Sequence, residues 1–288
     1  MIIVICGPTG VGKTKLSIEL AKKYNGIIIN SDAMQVYKKM DIATAKVKED
    51  EKEGIKHYLL DICDLEDNYS IYDYQKDARK IIDDNKDKTI IMVGGSGLYQ
   101  KAALYDYKLS DEETTKNNYD DLSNEELYKL VLEKNPDVNV HINNRKRLVR
   151  MLNKENISNE KSELLYHDVI FIGLTTDREN LYNIINKRVD KMVEEGLLEE
   201  AKYFYDQKVK CKALDTVIGY KELFKYFDGT LSLDEALDLI KKNSRHYAKR
   251  QYTWFNHQVP TIWVETNYQN FNETIDKCID IIEKRTTI

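Results

Sequence analysis

The residues best suited to chemistry come first in the chain: Gly7-Pro8-Thr9-Gly10-Val11-Gly12-Lys13-Thr14 has the spacing of a phosphate-binding P-loop. It follows an apolar run, Ile2 to Cys6, and precedes a helix-forming stretch, the setting such a loop requires. Glycines let the backbone turn its amides inward, and the helix N-terminus adds a field that favours anions. Lys13 supplies a point charge for a diphosphate or polyphosphate, and Thr14 is the expected Mg²⁺ ligand. An ordinary glycine turn is the bland alternative. The loop specifies phosphate without specifying a reaction. A nucleotide hydrolase usually places a metal-binding aspartate at the end of a second apolar strand. Here Thr89 to Val93 runs into Gly94-Gly95-Ser96-Gly97 with no carboxylate, and His57 to Asp61 fits that role only loosely. Asp61 is therefore read as structural.

Two further groups are placed to meet a phosphate-bound ligand. Asn30-Ser31-Asp32-Ala33-Met34-Gln35 follows the apolar run Gly26 to Ile29, so Asp32 emerges at the carboxyl edge of a sheet, where open α/β folds bind ligands. A carboxylate there can accept a proton from an incoming amine or hydroxyl, which makes Asp32 the candidate general base. Its alternative is a helix N-cap, for which Ser31 and Asp32 are both suited. Ser96, in the glycine turn after Thr89 to Val93, reaches the same edge and can hydrogen-bond a leaving oxygen or a reacting base; a plain strand-to-helix turn explains those glycines nearly as well.

These groups need a scaffold to bring them together. Strand-like runs at Ile2 to Cys6, Gly26 to Ile29, Thr89 to Val93, Val169 to Leu174 and Thr261 to Val264 alternate with helix-length segments. That alternation predicts an α/β fold, a P-loop NTPase-like parallel sheet flanked by helices. The second half reads as helical over Arg178 to Glu194, Leu197 to Lys208, Tyr220 to Phe227 and Ser232 to Phe255, the last opened by a capping box of Ser232 and Glu235. Residues 110–140 break the pattern, being polar and acidic with one short amphipathic helix around Glu125 to Glu133. They read as a small inserted helical arm, either a substrate grip or a solvated hairpin, in a core of residues 1–109 and 141–288.

Composition bounds the remaining possibilities. A chain of 288 residues with 42% hydrophobic and 32% charged residues buries a substantial core and has no apolar stretch long enough for a membrane span. Cys6, Cys63, Cys211 and Cys278 lie far apart, without the paired spacing of a zinc site, and read as reduced cytoplasmic thiols. The net charge of -5 argues against nucleic acid, but its distribution does not. Lys241, Lys242, Arg245, Lys249 and Arg250 form one acid-free basic segment, and Arg145, Lys146, Arg147 and Arg150 form another. Basic helical faces are commonly just solvated, and that reading stays open here.

Several ordered blocks together resemble the transfer RNA dimethylallyltransferase family over nearly the whole chain. They are the P-loop, Ser31 to Tyr37, Asp41 to Lys46, His57 to Ile62, Gly94 to Tyr99, Lys146 to Arg150, Asn186 to Asp190, Thr216 to Glu222 and Ala248 to Phe255. The resemblance implies that the P-loop holds the diphosphate of dimethylallyl diphosphate, without ATP hydrolysis. It implies that the acceptor is the N6 amine of the adenosine 3′-adjacent to the anticodon, drawn out of its stack into a pocket, as enzymes that act on bases do. Asp32 becomes the base for N6, Ser96 a partner of the amine and the bridging oxygen, and Arg188 a diphosphate ligand beside Lys13. Mg²⁺ at Thr14 offsets charge on the departing diphosphate. Contacts with the tRNA anticodon stem-loop are implied for Asp32, Ala33, Met34, Gln35, Ser96, Lys116, Lys146, Arg147, Leu148, Val149, Arg150, Thr216, Val217, Ile218, Gly219, Tyr220 and Lys221. A cytoplasmic monomer is expected. The chain departs from the family pattern at Ser96, where many relatives carry threonine, at Ile184 for arginine, at Ala43 for glycine and at Ile142 for proline, and its insertion is short.

Three rivals remain at this point: an adenylate isopentenyltransferase acting on free nucleotide, a small-metabolite kinase motivated by the P-loop alone, and a non-catalytic RNA-binding module, which would leave Lys13, Asp32 and Ser96 without a shared purpose.

Overall fold

The computed structural model describes residues 1–107, 117–138, 140–153 and 163–286. Six strands form one sheet: β1 (Ile2–Cys6), β2 (Ile27–Asn30), β3 (His57–Tyr58), β4 (Ile90–Val93), β5 (Val169–Thr175) and β6 (Ile262–Glu265). Their order is β3-β2-β4-β1-β5-β6, and every pairing is parallel. The helices are α1 (Lys13–Lys23), α2 (Ile71–Asp84), α3 (Gly97–Leu104), α4 (Asn124–Lys134), α5 (Arg145–Leu152), α6 (Arg178–Glu194), α7 (Leu197–Asp206), α8 (Lys212–Thr216), α9 (Tyr220–Phe227), α10 (Leu233–Gln258) and α11 (Phe271–Thr286). The expected parallel α/β sheet is present.

Period-two alternation explains why β1 is apolar throughout. Ile3 and Ile5 point into one core with Leu16, Leu20, Ile28 and Ile91, while Val4 and Cys6 point into another with Ile29, Met92, Tyr74 and Phe255. Both faces are covered by helices, so neither set of side chains can be polar. Helix starts are fixed locally. Capping boxes form at Ser70 with Asp73, Ser123 with Glu126 and Ser232 with Glu235, the last as read from sequence. A third apolar cluster, including Val36, Met40, Val189, Leu197, Phe204 and Tyr220, joins the segment after β2 to helices α6, α7 and α9.

The strand order positions the chemistry. β4 lies between β1 and β2, with Val93 paired to both Ile5 and Asn30, so these three strands end at one level. The P-loop, the Gly94 to Gly97 turn and the Asn30 to Gln35 turn therefore leave adjacent strands at the same carboxyl edge.

The insertion is larger than expected. The chain divides into one unit of residues 1–105 and 165–288 and a second of residues 106–164, in place of a 110–140 arm. Arg145–Leu152 belongs to the second unit because Leu148 packs into a small core with Leu127, Val131, Val138 and Val140. The Arg145 guanidinium seals that unit by donating to the carbonyls of Leu122 at 2.6 Å and Tyr119 at 2.7 Å.

Candidate active site

The cradle's geometry depends on glycine where the backbone turns. Gly7 has φ of 122°, and a Cβ there would lie 2.4 Å from the carbonyl oxygen of Leu174 on β5. Gly12, with φ of 92°, opens α1 and leaves Lys13 as its first residue. The Lys13 ammonium folds back over the loop, donating to the Pro8 carbonyl at 2.6 Å. Burial pulls its pKa down to about 8, the Arg188 cation adds to that fall, and Asp32 opposes it. Thr14 is exposed at the start of the helix and lines the same cleft.

Asp32 stands on a turn pinned from below. The buried Asn30 amide donates to the carbonyls of Leu59 at 2.9 Å and Asp32 at 3.1 Å, while its oxygen accepts the Asp32 N–H at 3.0 Å. Tyr74, fully buried, donates its hydroxyl to the Asn30 carbonyl at 3.0 Å. One Asp32 carboxylate oxygen accepts the Met34 N–H at 2.9 Å. The local-cap alternative is thus partly realised as a side-chain turn, with no helix following and the carboxylate still lining the cleft. Burial raises the Asp32 pKa, against the lowering effects of the Met34 N–H and of the Lys13 and Arg188 cations. Ser96 is tied to this turn: its hydroxyl accepts the Ala33 N–H at 3.1 Å, and its own N–H donates to the Ser31 carbonyl at 3.1 Å.

Arg188 reaches the cleft from α6, where burial lowers its pKa and Asp32 opposes the shift. Lys13, Arg188 and Asp32 therefore feel one another's charge within a single cleft of about 690 Å³. Ile184, one helical turn before Arg188, lies against Gly10, so an apolar contact occupies that part of the wall.

Two residues of α10 join this edge of the sheet. Gln251 accepts the Thr9 N–H at 3.1 Å and donates to the Gly95 carbonyl at 3.2 Å, joining the P-loop to the Ser96 turn. Gly95 has no side chain because a Cβ would meet the Gln251 amide at 2.2 Å. Tyr247, one turn before Gln251, also lines the cleft. Both lie in or next to the block Ala248 to Phe255; the Gln251 contacts span 156 and 242 positions and have no local pattern.

A family model described as IPP transferase matches residues 35–258. The chain belongs to this family. Curated relatives agree in name: the tRNA dimethylallyltransferase of Anoxybacillus flavithermus is 43% identical over 98% of this chain and 96% of its own. That of Enterococcus faecalis is 46% identical over 91% and 90%. Among solved structures, the tRNA delta(2)-isopentenylpyrophosphate transferase of Staphylococcus epidermidis covers 99% of both chains at 37% identity, with a TM-score of 0.76. A eukaryotic dimethylallyltransferase, captured acting on tRNA, matches at 30% identity and a TM-score of 0.76 over 91% of this chain and 73% of that one. The P-loop NTPase-like fold is thus that of the family's solved members.

The expected RNA contacts fall in three settings. Lys146, Arg147 and Arg150 are exposed on α5, and Thr216 and Lys221 are exposed at α8 and α9. Asp32 and Gln35 line the cleft. Leu148 and Tyr220 are 0% exposed, Val217 and Gly219 are buried, and Val149 packs partly into the small core; none of these five presents a free side chain to a ligand. The apolar side chains among them, Leu148, Val149, Val217 and Tyr220, pack into their own clusters. Lys116 lies outside the described residues.

Proposed function

We propose that the chain transfers a dimethylallyl group from dimethylallyl diphosphate to N6 of the adenosine 3′-adjacent to the anticodon in tRNA, releasing diphosphate. The observation that carries this reading is the meeting of one carboxylate, Asp32, with two phosphate-binding cations, Lys13 and Arg188, in one cleft. As the N6–C1 bond forms and the C1–O bond breaks, Asp32 takes the amine proton while Lys13 and Arg188 meet the charge growing on diphosphate. Ser96, oriented by the Ala33 N–H, holds the amine or the bridging oxygen.

Mg²⁺ fits this arrangement. Among the described residues no cluster of three His, Cys, Asp or Glu side chains forms a cage. Mg²⁺ needs none, binding through one or two protein oxygens with phosphate and water, and the exposed Thr14 hydroxyl offers one. Bound there, it would neutralise leaving-group charge.

Incubation with unmodified tRNA, dimethylallyl diphosphate and Mg²⁺, followed by digestion and mass analysis, should yield N6-dimethylallyladenosine. Modification of free adenylate in preference to tRNA would support the nucleotide enzyme, and phosphate transfer from ATP would support a kinase. The reading takes the enzyme as a cytoplasmic monomer, so light scattering should return the mass of one chain. No helix among the described residues is long and apolar enough to cross a membrane.

Electrostatics predicts the pH profile. Asp32 must be ionised to accept a proton, and its raised pKa moves the acid limb of kcat/KM above the ordinary carboxylate range. Lys13 must be protonated to hold diphosphate, so affinity for dimethylallyl diphosphate in the free enzyme falls as pH rises through about 8. Initial rates from pH 5 to 10 check both limbs, and an acid limb at the value of a free aspartate would contradict the first.

The exposed α5 cations supply the RNA-binding prediction. Each lost phosphate contact lowers the slope of log affinity against log salt by about 0.7 to 0.9. Replacing Arg147 and Arg150 with glutamine should therefore flatten that slope in a salt titration of tRNA binding. An unchanged slope would return them to a solvated face.

A further inference from the structure

Glu200, on α7, carries an unusual number of hydrogen bonds for a side chain that does not line the cleft. One carboxylate oxygen accepts the N–H groups of Asp41 at 2.9 Å and Ile42 at 2.8 Å. The other accepts the Ala43 N–H at 3.0 Å and the Tyr220 hydroxyl at 2.8 Å. Three successive backbone amides thus converge on one carboxylate from a helix some 160 positions away. Residues 41–46 form a helix-like turn, with Ala45 N–H on the Ile42 carbonyl and Lys46 N–H on the Asp41 carbonyl. The exposed amides of such a turn are usually capped by the residue that opens it. Asp41 could do so, yet its carboxylate is engaged by the Lys46 ammonium at 2.7 Å. The turn therefore depends on Glu200 for its amide end.

What the turn holds is the cleft wall beside Asp32. Asp41, Ile42, Ala45 and Gln35 all line the cleft. The Gln35 amide donates to the carbonyls of Thr44 at 3.0 Å and Ala45 at 3.4 Å, so the turn's carbonyl end fixes the Gln35 side chain. The backbone here is strained: Lys39 and Ala45 sit at φ of 64° and 46°, a left-handed conformation that non-glycine residues avoid. Strain of this kind persists only where surrounding contacts over-determine it, and Glu200 and Lys46 provide them. Tyr220 is itself fixed, fully buried with its ring edge-on to Phe204 at 5.3 Å.

We propose that Glu200 is a positioning residue for the RNA acceptor: by clamping residues 41–43 it sets Gln35 and the adjoining cleft wall, while the phosphate cradle is built without it. This rests on the reading that the Asp32 to Gln35 turn faces the RNA. Glu200→Gln keeps the size but replaces one acceptor oxygen with an NH₂ group aimed at N–H donors. Its KM for tRNA should rise about tenfold or more, the scale of one lost buried hydrogen bond. Its KM for dimethylallyl diphosphate should stay within about twofold of wild type, and its melting should stay cooperative. Tyr220→Phe, which removes one of four donors, should raise the tRNA KM by a smaller factor and serves as the test if Glu200→Gln does not fold. Equal rises in both KM values, or a tRNA KM unchanged in the variant that folds, would overturn the assignment. A wild-type protein that transfers no prenyl group would instead overturn the proposed function, so the two failures are distinguishable.

Discussion

Asp32→Ala should lower turnover by about a hundredfold or more while leaving tRNA affinity within about twofold, the pattern of a lost general base. The carboxylate is positioned from the backbone side by Met34 and by the Asn30 amide beneath the turn, so its removal leaves the turn's main anchors in place. Asp32→Asn is the sharper variant. It keeps shape and one acceptor oxygen for the Met34 N–H, but it cannot take the amine proton. Single-turnover rates with saturating tRNA measure the chemical step, and a rate equal to wild type in Asp32→Asn would remove the base from the mechanism.

Lys13→Ala should have a comparably large effect of a different kind. The ammonium meets charge already present on bound diphosphate and charge that grows as the C1–O bond breaks. KM for dimethylallyl diphosphate and kcat should therefore both deteriorate, with kcat/KM falling by roughly a hundredfold to a thousandfold, the scale of losing one preorganised charge contact. Removal of this cation also removes its burial cost and its repulsion with Arg188, against a lost attraction to Asp32 and a lost hydrogen bond to the Pro8 carbonyl. Titration of dimethylallyl diphosphate by calorimetry separates the binding loss from the chemical one. A variant whose affinity for the prenyl donor matches wild type would place the diphosphate elsewhere.

Sequence revealed the cradle because its requirements are local: a strand, three glycines, a lysine and a helix start lie within a dozen residues. The central strands are equally visible, since burial on both faces makes β1 and most of β2, β4 and β5 apolar. β3 was seen only loosely because it is two residues long, and its carboxylate, Asp61, serves the Lys46 ammonium at 2.5 Å, in keeping with a structural role. Helices α2 and α11 went unread; the capping box that opens α2 uses Asp73 where the usual pattern has Glu or Gln. The basic character of Arg145 to Arg150 masks the apolar residues that commit α5 to the inserted unit, the buried Leu148 with Val149, Met151 and Leu152 partly buried beside it. Tyr220, in the Thr216 to Glu222 block, has its ring in the core, and its hydroxyl donates to Glu200. The couplings of Gln251 to the P-loop and of Glu200 to residues 41–43 could not be read at all, because hydrogen bonds over that separation leave no spacing behind.

The most direct test is a crystal structure of the protein with an anticodon stem-loop and dimethylallyl thiodiphosphate, an unreactive analogue of the prenyl donor. The analogue's diphosphate should lie within Gly7 to Thr14, and the N6 amine of an extruded adenine about 2.6–3.2 Å from the Asp32 carboxylate. An adenine seated in the cleft with Asp32 turned away from N6, or a diphosphate bound outside the loop, would contradict this placement.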